Sequence, residues 1–200
     1  MRKPEFKAIK YLPYILLGGG AMGLLASFVL TVERFWMLKN PSYSPSCNIN
    51  PLFSCVSVAD TPQSETFGFP NMLFGVAAYA MVMAVGGAML AGGRMKPWFW
   101  QLFGLGTLGG IVFVHWLFVQ STYIIGALCI YCMSVWVATA PIFWYTLIFN
   151  IQEGNIKFLS KYKGLQDFLC KYHGLVLASW YFVIFILMLQ RFWGEMSALL

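Results

Sequence analysis

The chain has 200 residues, 60% of them hydrophobic and 10% charged, with a mean hydropathy of +0.70. That balance excludes an ordinary soluble domain, in which about a quarter of residues are charged. A net charge of +6 would fit a nucleic-acid partner if the cations formed one patch, but they sit between apolar segments, so no nucleic-acid role is expected.

Gaps between charges locate the spans. Residues 11–32 lie between Lys10 and Glu33 and are long enough to cross a hydrocarbon core once. The stretch exceeds a secretory h-region, and Ala21, Ala26 and Ser27 make a poor cleavage site, so retention as a span is expected. An outer loop over about 35–69 follows, turn-rich at Asn40, Pro41, Ser42, Ser44 and Pro45. It carries Cys47 and Cys55. Ile49, Leu52, Phe53 and Val56 have helical spacing, which predicts a short helix over 49–57 lying along the membrane surface.

Pro70 marks the start of a second span, 70–92. Residues 97–152 carry no charge and are too many for one helix. Gln120, Ser121 and Thr122, then Gly126, divide them into spans 97–119 and 127–149. Cys129 and Cys132 open the second of these. A lysine-rich amphipathic stretch, 150–172, is expected to rest on anionic headgroups, and a fifth span, 173–190, ends at Arg191. The expected fold is all-α, a single integral membrane domain, with Gly19/Gly23 and Gly106/Gly110 spaced for close helix contacts.

Five spans put the termini on opposite sides. With the N-terminus in the cytoplasm, ten of the thirteen basic residues fall on inner segments and only Arg34, Lys39 and Arg191 on outer ones. Both cysteine pairs then lie at the outer face, where the compartment is oxidising. Cys170 falls inside as a bystander thiol.

Cys129-Ile130-Tyr131-Cys132 is a C-x-x-C motif. On a helix its cysteines share a face, and the first turn of a helix favours a thiolate. Alone, the motif also fits a zinc half-site or a structural disulfide. Cys47 and Cys55 permit a permanent loop staple or a sulfur that swings towards the fourth span. Two dithiols on one side favour exchange, in which a thiolate attacks a disulfide sulfur. The thiols by themselves also fit a metal-handling membrane protein whose site is made of four cysteine thiolates, or a structural protein with stapled loops.

Three segments carry a resemblance: Cys47-Asn48-Ile49-Asn50-Pro51-Leu52-Phe53-Ser54-Cys55, Phe67-Gly68-Phe69-Pro70-Asn71 and Gly126-Ala127-Leu128-Cys129-Ile130-Tyr131-Cys132. They resemble the vitamin K epoxide reductase family, most closely its bacterial, actinobacterial-type branch, over about residues 10–150. The resemblance implies a four-helix transmembrane bundle around a quinone, to which this chain adds a fifth transmembrane helix. It implies that Cys132 faces the quinone, that Cys129 receives attack from Cys55, and that Cys47 meets the outside substrate. Thr61 falls at the family's serine/threonine position near the disulfide, and Asn71 at the asparagine that hydrogen-bonds a quinone carbonyl.

There are departures. Animal members have a tyrosine where this chain has Trp136, which weakens the case for epoxide chemistry and suits a quinone-stacking wall. Many bacterial members continue into a thioredoxin-like domain, whereas this chain ends about ten residues after Arg191, so a separate thioredoxin-fold thiol oxidase is the expected partner. His115 reads either as a packed histidine or as a proton shuttle to the quinone. Phe113, Trp116 and Phe118 read as interface aromatics or as walls of a ring pocket. The expected function is a thiol oxidase of the bacterial inner (plasma) membrane. It passes electrons to a membrane quinone, menaquinone before ubiquinone, with no metal or flavin, and supports disulfide formation in exported proteins.

Overall fold

Long uncharged runs satisfy their backbone groups in lipid only by coiling into helices, and five helices here are long and apolar enough to cross a membrane. The computed structural model describes residues 8–40, 42–50, 52–156 and 163–197. The candidate spans are α1 (Ala8–Lys39), α3 (Asn71–Leu90), α4 (Pro97–Val119), α5 (Ile130–Gln152) and α7 (His173–Ser197). Two shorter helices are α2 (Cys55–Ala59) and α6 (Lys163–Lys171). A 3-10 turn covers Pro62–Glu65, and a π-helical turn over Gln120–Ile125 continues α4. Among the described residues no strand forms, and a single parallel bridge pairs Phe53 with Leu128. The chain is an all-α membrane protein.

Helix α1 has 32 residues, about 48 Å at 1.5 Å per residue, against a hydrocarbon core of about 30 Å. Its apolar run stops at Glu33, so the last turns form a post against which the loop after α1 docks. Arg34 on that post pairs with Asp60 and, at 3.7 Å, with Glu65.

Helix α1 packs on α3 and α5, and α4 packs on α5. The α1–α3 contact needs bare backbone: a Cβ on Gly23 would fall 2.5 Å from the Tyr79 ring. Gly19 meets Ile142 of α5 in the same way, at 3.1 Å. The α4 pair behaves differently. A Cβ on Gly106 would meet nothing within 4 Å, and one on Gly110 only Thr139 at 3.8 Å. These two glycines border a cavity instead of a neighbouring helix. Helix α7 is the least enclosed span. Trp180 Nε1 donates to His115 Nε2 at 2.8 Å and Tyr181 Oη to the Val137 carbonyl at 2.7 Å.

Two stretches depart from sequence expectation for one reason. The predicted helix over 49–57 begins only at Cys55, with Ile49 exposed and Leu52 buried. The fourth span begins at Ile130, not 127. Leu128 N–H donates to the Leu52 carbonyl at 2.8 Å, and Ser54 N–H to the Leu128 carbonyl at 3.0 Å. Backbone groups spent on that bridge are not available to a helix. Gly126, in the left-handed region at φ 73°, turns the chain out of the π-helical segment into the bridge. Of the predicted 150–172 amphipathic stretch, 157–162 lie outside the described residues, and α6 covers its last part. At this end of the bundle Cys170 is buried and accepts from Gln152 Nε2 at 3.0 Å.

Candidate functional site

Two of the four paired cysteines, Cys55 and Cys129, are held at the start of a helix. Cys55 is the first residue of α2, and Ser54 caps that helix by accepting the Ser57 N–H at 3.1 Å. Cys129 occupies the cap position of α5, where its Sγ accepts the Cys132 N–H at 3.4 Å. Cys47 and Cys55 form a disulfide with Cα atoms 5.7 Å apart, and Cys129 and Cys132 are free. The Cys129 Sγ lies 3.2 Å from the Cys55 Sγ. Cys47, Cys55 and Cys129 are 3%, 1% and 1% exposed, so bulk water is kept from the sulfurs.

This is an arrangement for thiol–disulfide exchange, which needs a thiolate beside a disulfide sulfur. Cys129 meets that need. The Cys132 thiol donates to it, which outweighs the opposing effect of burial, and the N–H groups of Cys132 and Tyr131 help to hold its acidity above that of an ordinary thiol. Because the disulfide uses two of the four sulfurs, the four cysteines do not form a shared metal site in this state.

Behind the sulfurs lies a cavity of about 650 Å³, bounded by α1, α3, α4, α5 and the cysteine-bearing loop between α1 and α3. Cys55, Cys129 and Cys132 are on its wall, and it runs past Tyr79, Val82 and Gly106 to Leu102. The wall is mainly apolar. That volume and lining fit an aromatic ring bearing a few polar contacts. A hydrogen-bonding guest is indicated by Trp136, which lines the cavity and is 4% exposed, and whose indole Nε1 has no partner among the described residues. Its ring meets Phe118 edge-on at 5.2 Å.

The other predicted residues separate into two groups. Thr61 and Asn71 line the same cavity. Thr61 donates its hydroxyl to the Val58 carbonyl at 2.8 Å, so its proton is committed to the end of α2 and not to a sulfur. Asn71 stitches the 3-10 turn to α3: its Nδ2 donates to the Gln63 carbonyl at 2.7 Å, and its Oδ1 accepts the Thr66 N–H at 3.1 Å. His115 is not on the cavity wall. The Trp180 indole can only donate, so His115 Nε2 is the acceptor and Nδ1–H donates to the Ile111 carbonyl at 2.7 Å. Nε2 thereby ties α4 to α7, and Nδ1 is taken by the backbone of His115's own helix. Phe113 lines the cavity, and Trp116 stacks on it at 5.7 Å.

Sequence reasoning missed Glu33, Ser46 and Tyr131, which form one hydrogen-bonded group beside the disulfide. It also missed Tyr79, whose hydroxyl lies 2.6 Å from Thr139 Oγ1 on the cavity wall. In the sequence Glu33 reads only as the charge that closes a span. The signal available is an acid at the end of a span, next to a serine-rich loop.

The model of the Vitamin K epoxide reductase family matches residues 14–147. A search of curated proteins finds no match.

Proposed function

The chain belongs to the vitamin K epoxide reductase family, matched over two thirds of its length, and from that premise we propose that it is a thiol oxidase coupling a dithiol donor to a membrane quinone. The family makes it a membrane oxidoreductase. The observation that carries the finer reading is the 3.2 Å approach of the Cys129 sulfur to the Cys55 sulfur of a disulfide, at the edge of an apolar cavity.

A thiolate of a reduced thioredoxin-fold partner attacks Cys47, and Cys55 leaves; the partner's second thiol then resolves the mixed disulfide and the partner departs oxidised. The Cys55 thiolate attacks Cys129 of a Cys129–Cys132 disulfide, and Cys132 leaves. Cys47 attacks Cys55, which restores the loop disulfide and frees Cys129. The Cys129/Cys132 dithiol then becomes a disulfide again as two electrons and two protons pass to the quinone, giving the quinol. The state described here, a loop disulfide beside a free Cys129/Cys132 pair, corresponds to the moment before that last transfer.

The quinone is read as menaquinone, with Asn71 and Trp136 on the wall around its ring. The cell location is read as a bacterial inner membrane with the N-terminus cytoplasmic, the redox cysteines outside, and exported proteins as the final beneficiaries of the disulfides. The test is anaerobic mixing of purified protein with a reduced thioredoxin-fold thiol oxidase and menaquinone or ubiquinone. Quinol and partner disulfide should appear in equal amounts. A protein that binds quinone yet makes no quinol from any dithiol would refute the reading.

A further inference from the structure

The reading above requires a donor to reach Cys47, yet Cys47 is 3% exposed although its neighbours Ser46 and Asn48 are open to solvent. One carboxylate holds that segment down. Glu33, on the post of α1 and 7% exposed, accepts the Tyr43 hydroxyl at 2.7 Å, the Ser46 hydroxyl at 2.7 Å and the Ser46 N–H at 3.4 Å. Ser46 Oγ also lies 3.1 Å from the hydroxyl of Tyr131, inside the C-x-x-C motif. Ser46 has one hydroxyl proton, and Glu33 takes it, so Tyr131 is the donor in that contact. The segment ahead of Cys47 is thus tied both to α1 and to the start of α5.

The two ends of the disulfide are restrained by different means. Cys55 is fixed through the backbone bond of its neighbour Ser54 to Leu128. The segment ahead of Cys47 is fixed through bonds that converge on one acid, and hydrogen bonds to an ionised acceptor are stronger than neutral ones. We propose that Glu33 is a positioning residue, a latch whose release exposes Cys47 to the donor while Cys55 stays beside Cys129. This assignment rests on the thiol-oxidase reading for its purpose, but not for its test.

The test measures how fast a water-soluble phosphine reduces the Cys47–Cys55 disulfide in detergent-purified protein. It needs neither quinone nor partner. Glu33→Gln and Ser46→Ala should speed reduction by about tenfold, the factor for losing one or two such bonds, and Tyr131→Phe by less. A structural role alone would also loosen the other end. The second readout is therefore capture of Cys55 by Cys129 in a Cys132→Ala background, which should remain unchanged. Unchanged phosphine rates in Glu33→Gln and Ser46→Ala would overturn the latch, as would faster reduction accompanied by loss of Cys55–Cys129 capture. Should Glu33→Gln fail to fold, Ser46→Ala and Tyr131→Phe carry the same comparison without removing a charge. Absence of quinol formation by the wild-type protein would refute the functional reading and leave these rates interpretable.

Discussion

Ser54 donates its N–H to the Leu128 carbonyl at 3.0 Å, and each of these residues precedes a functional cysteine. This bond and the one from Leu128 N–H to the Leu52 carbonyl make the parallel bridge of Phe53 with Leu128. Just beyond it the chain carries Cys55 on one side and Cys129 on the other, with sulfurs 3.2 Å apart. The exchange step therefore needs no excursion of Cys55 from the loop. The moving sulfur in the proposed cycle is Cys47.

Removing Cys132 should trap that exchange. Without it, Cys129 has no partner in its own motif and attacks Cys55, so Cys132→Ala should accumulate a Cys55–Cys129 disulfide with Cys47 free. Peptide mass analysis under non-reducing conditions detects it. Both Cys132→Ala and Cys129→Ala should abolish quinol formation, whereas Cys170→Ala, at the other end of the bundle, should keep it. Full turnover in Cys132→Ala would sink the assignment of the membrane pair.

The loop pair should respond differently according to the donor. Cys47→Ala should stop turnover with a protein dithiol, because no sulfur remains to accept it. A small dithiol such as dithiothreitol should still reduce the Cys129/Cys132 pair, since Cys132 is partly exposed. Equal loss with both donors would make Cys47 a structural staple.

The pH profile of exchange should follow Cys129. Its thiol is held below the ordinary range by the Cys132 thiol, working against burial, together with the N–H groups of Cys132 and Tyr131. A lowered pKa means more thiolate at a given pH below that range. Capture of Cys55 by Cys129 should therefore persist to lower pH than attack by a free cysteine, whose pKa is about 8.5. Replacing Cys132 by Ala removes the main donor and should move the profile upward. A profile that coincides with free cysteine in the wild type would contradict the arrangement of donors around Cys129.

Much of this was legible in the chain. Uncharged runs and the positions of Lys10, Glu33 and Pro70 pointed to five apolar helices, and five such helices form, because lipid leaves the backbone one local solution. The loop between Cys47 and Cys55 was not legible. Ile49, Leu52, Phe53 and Val56 have helical spacing, but a contact with Leu128, far along the chain, claimed the backbone first. Long-range pairing of this kind overrides local periodicity and leaves little trace in it. His115 illustrates the same limit: its partner Trp180 lies on a helix 65 residues away. Glu33 was visible as a charge, but its three hydrogen bonds depend on how the loop folds back on α1.

The final prediction separates two residues on the cavity wall, Trp136 and Asn71. The Trp136 indole N–H is buried with no partner among the described residues, a state that costs about 1–3 kcal/mol. Trp136→Phe removes that unmet donor and retains an aromatic ring against Phe118. The ligand-free protein should therefore lose little stability. If a quinone carbonyl accepts from the indole, KM for quinone should rise about threefold to tenfold, the scale of a neutral hydrogen bond of roughly 0.5–1.5 kcal/mol. Asn71 is committed differently. One amide hydrogen goes to the Gln63 carbonyl at 2.7 Å, while Thr66 Oγ1 lies 3.4 Å from the same nitrogen. That longer contact is the one a quinone carbonyl can replace. Asn71→Ala should lower turnover by about tenfold, consistent with loss of one hydrogen bond to an oxygen gaining negative charge. It should also lower the melting temperature, because the stitch to the 3-10 turn is lost. Thermal unfolding without quinone, set beside initial rates over a range of quinone concentrations, distinguishes the two. Unchanged kinetics in Trp136→Phe would remove the indole from quinone binding, and a lower melting temperature with normal kinetics in Asn71→Ala would leave that residue a structural stitch.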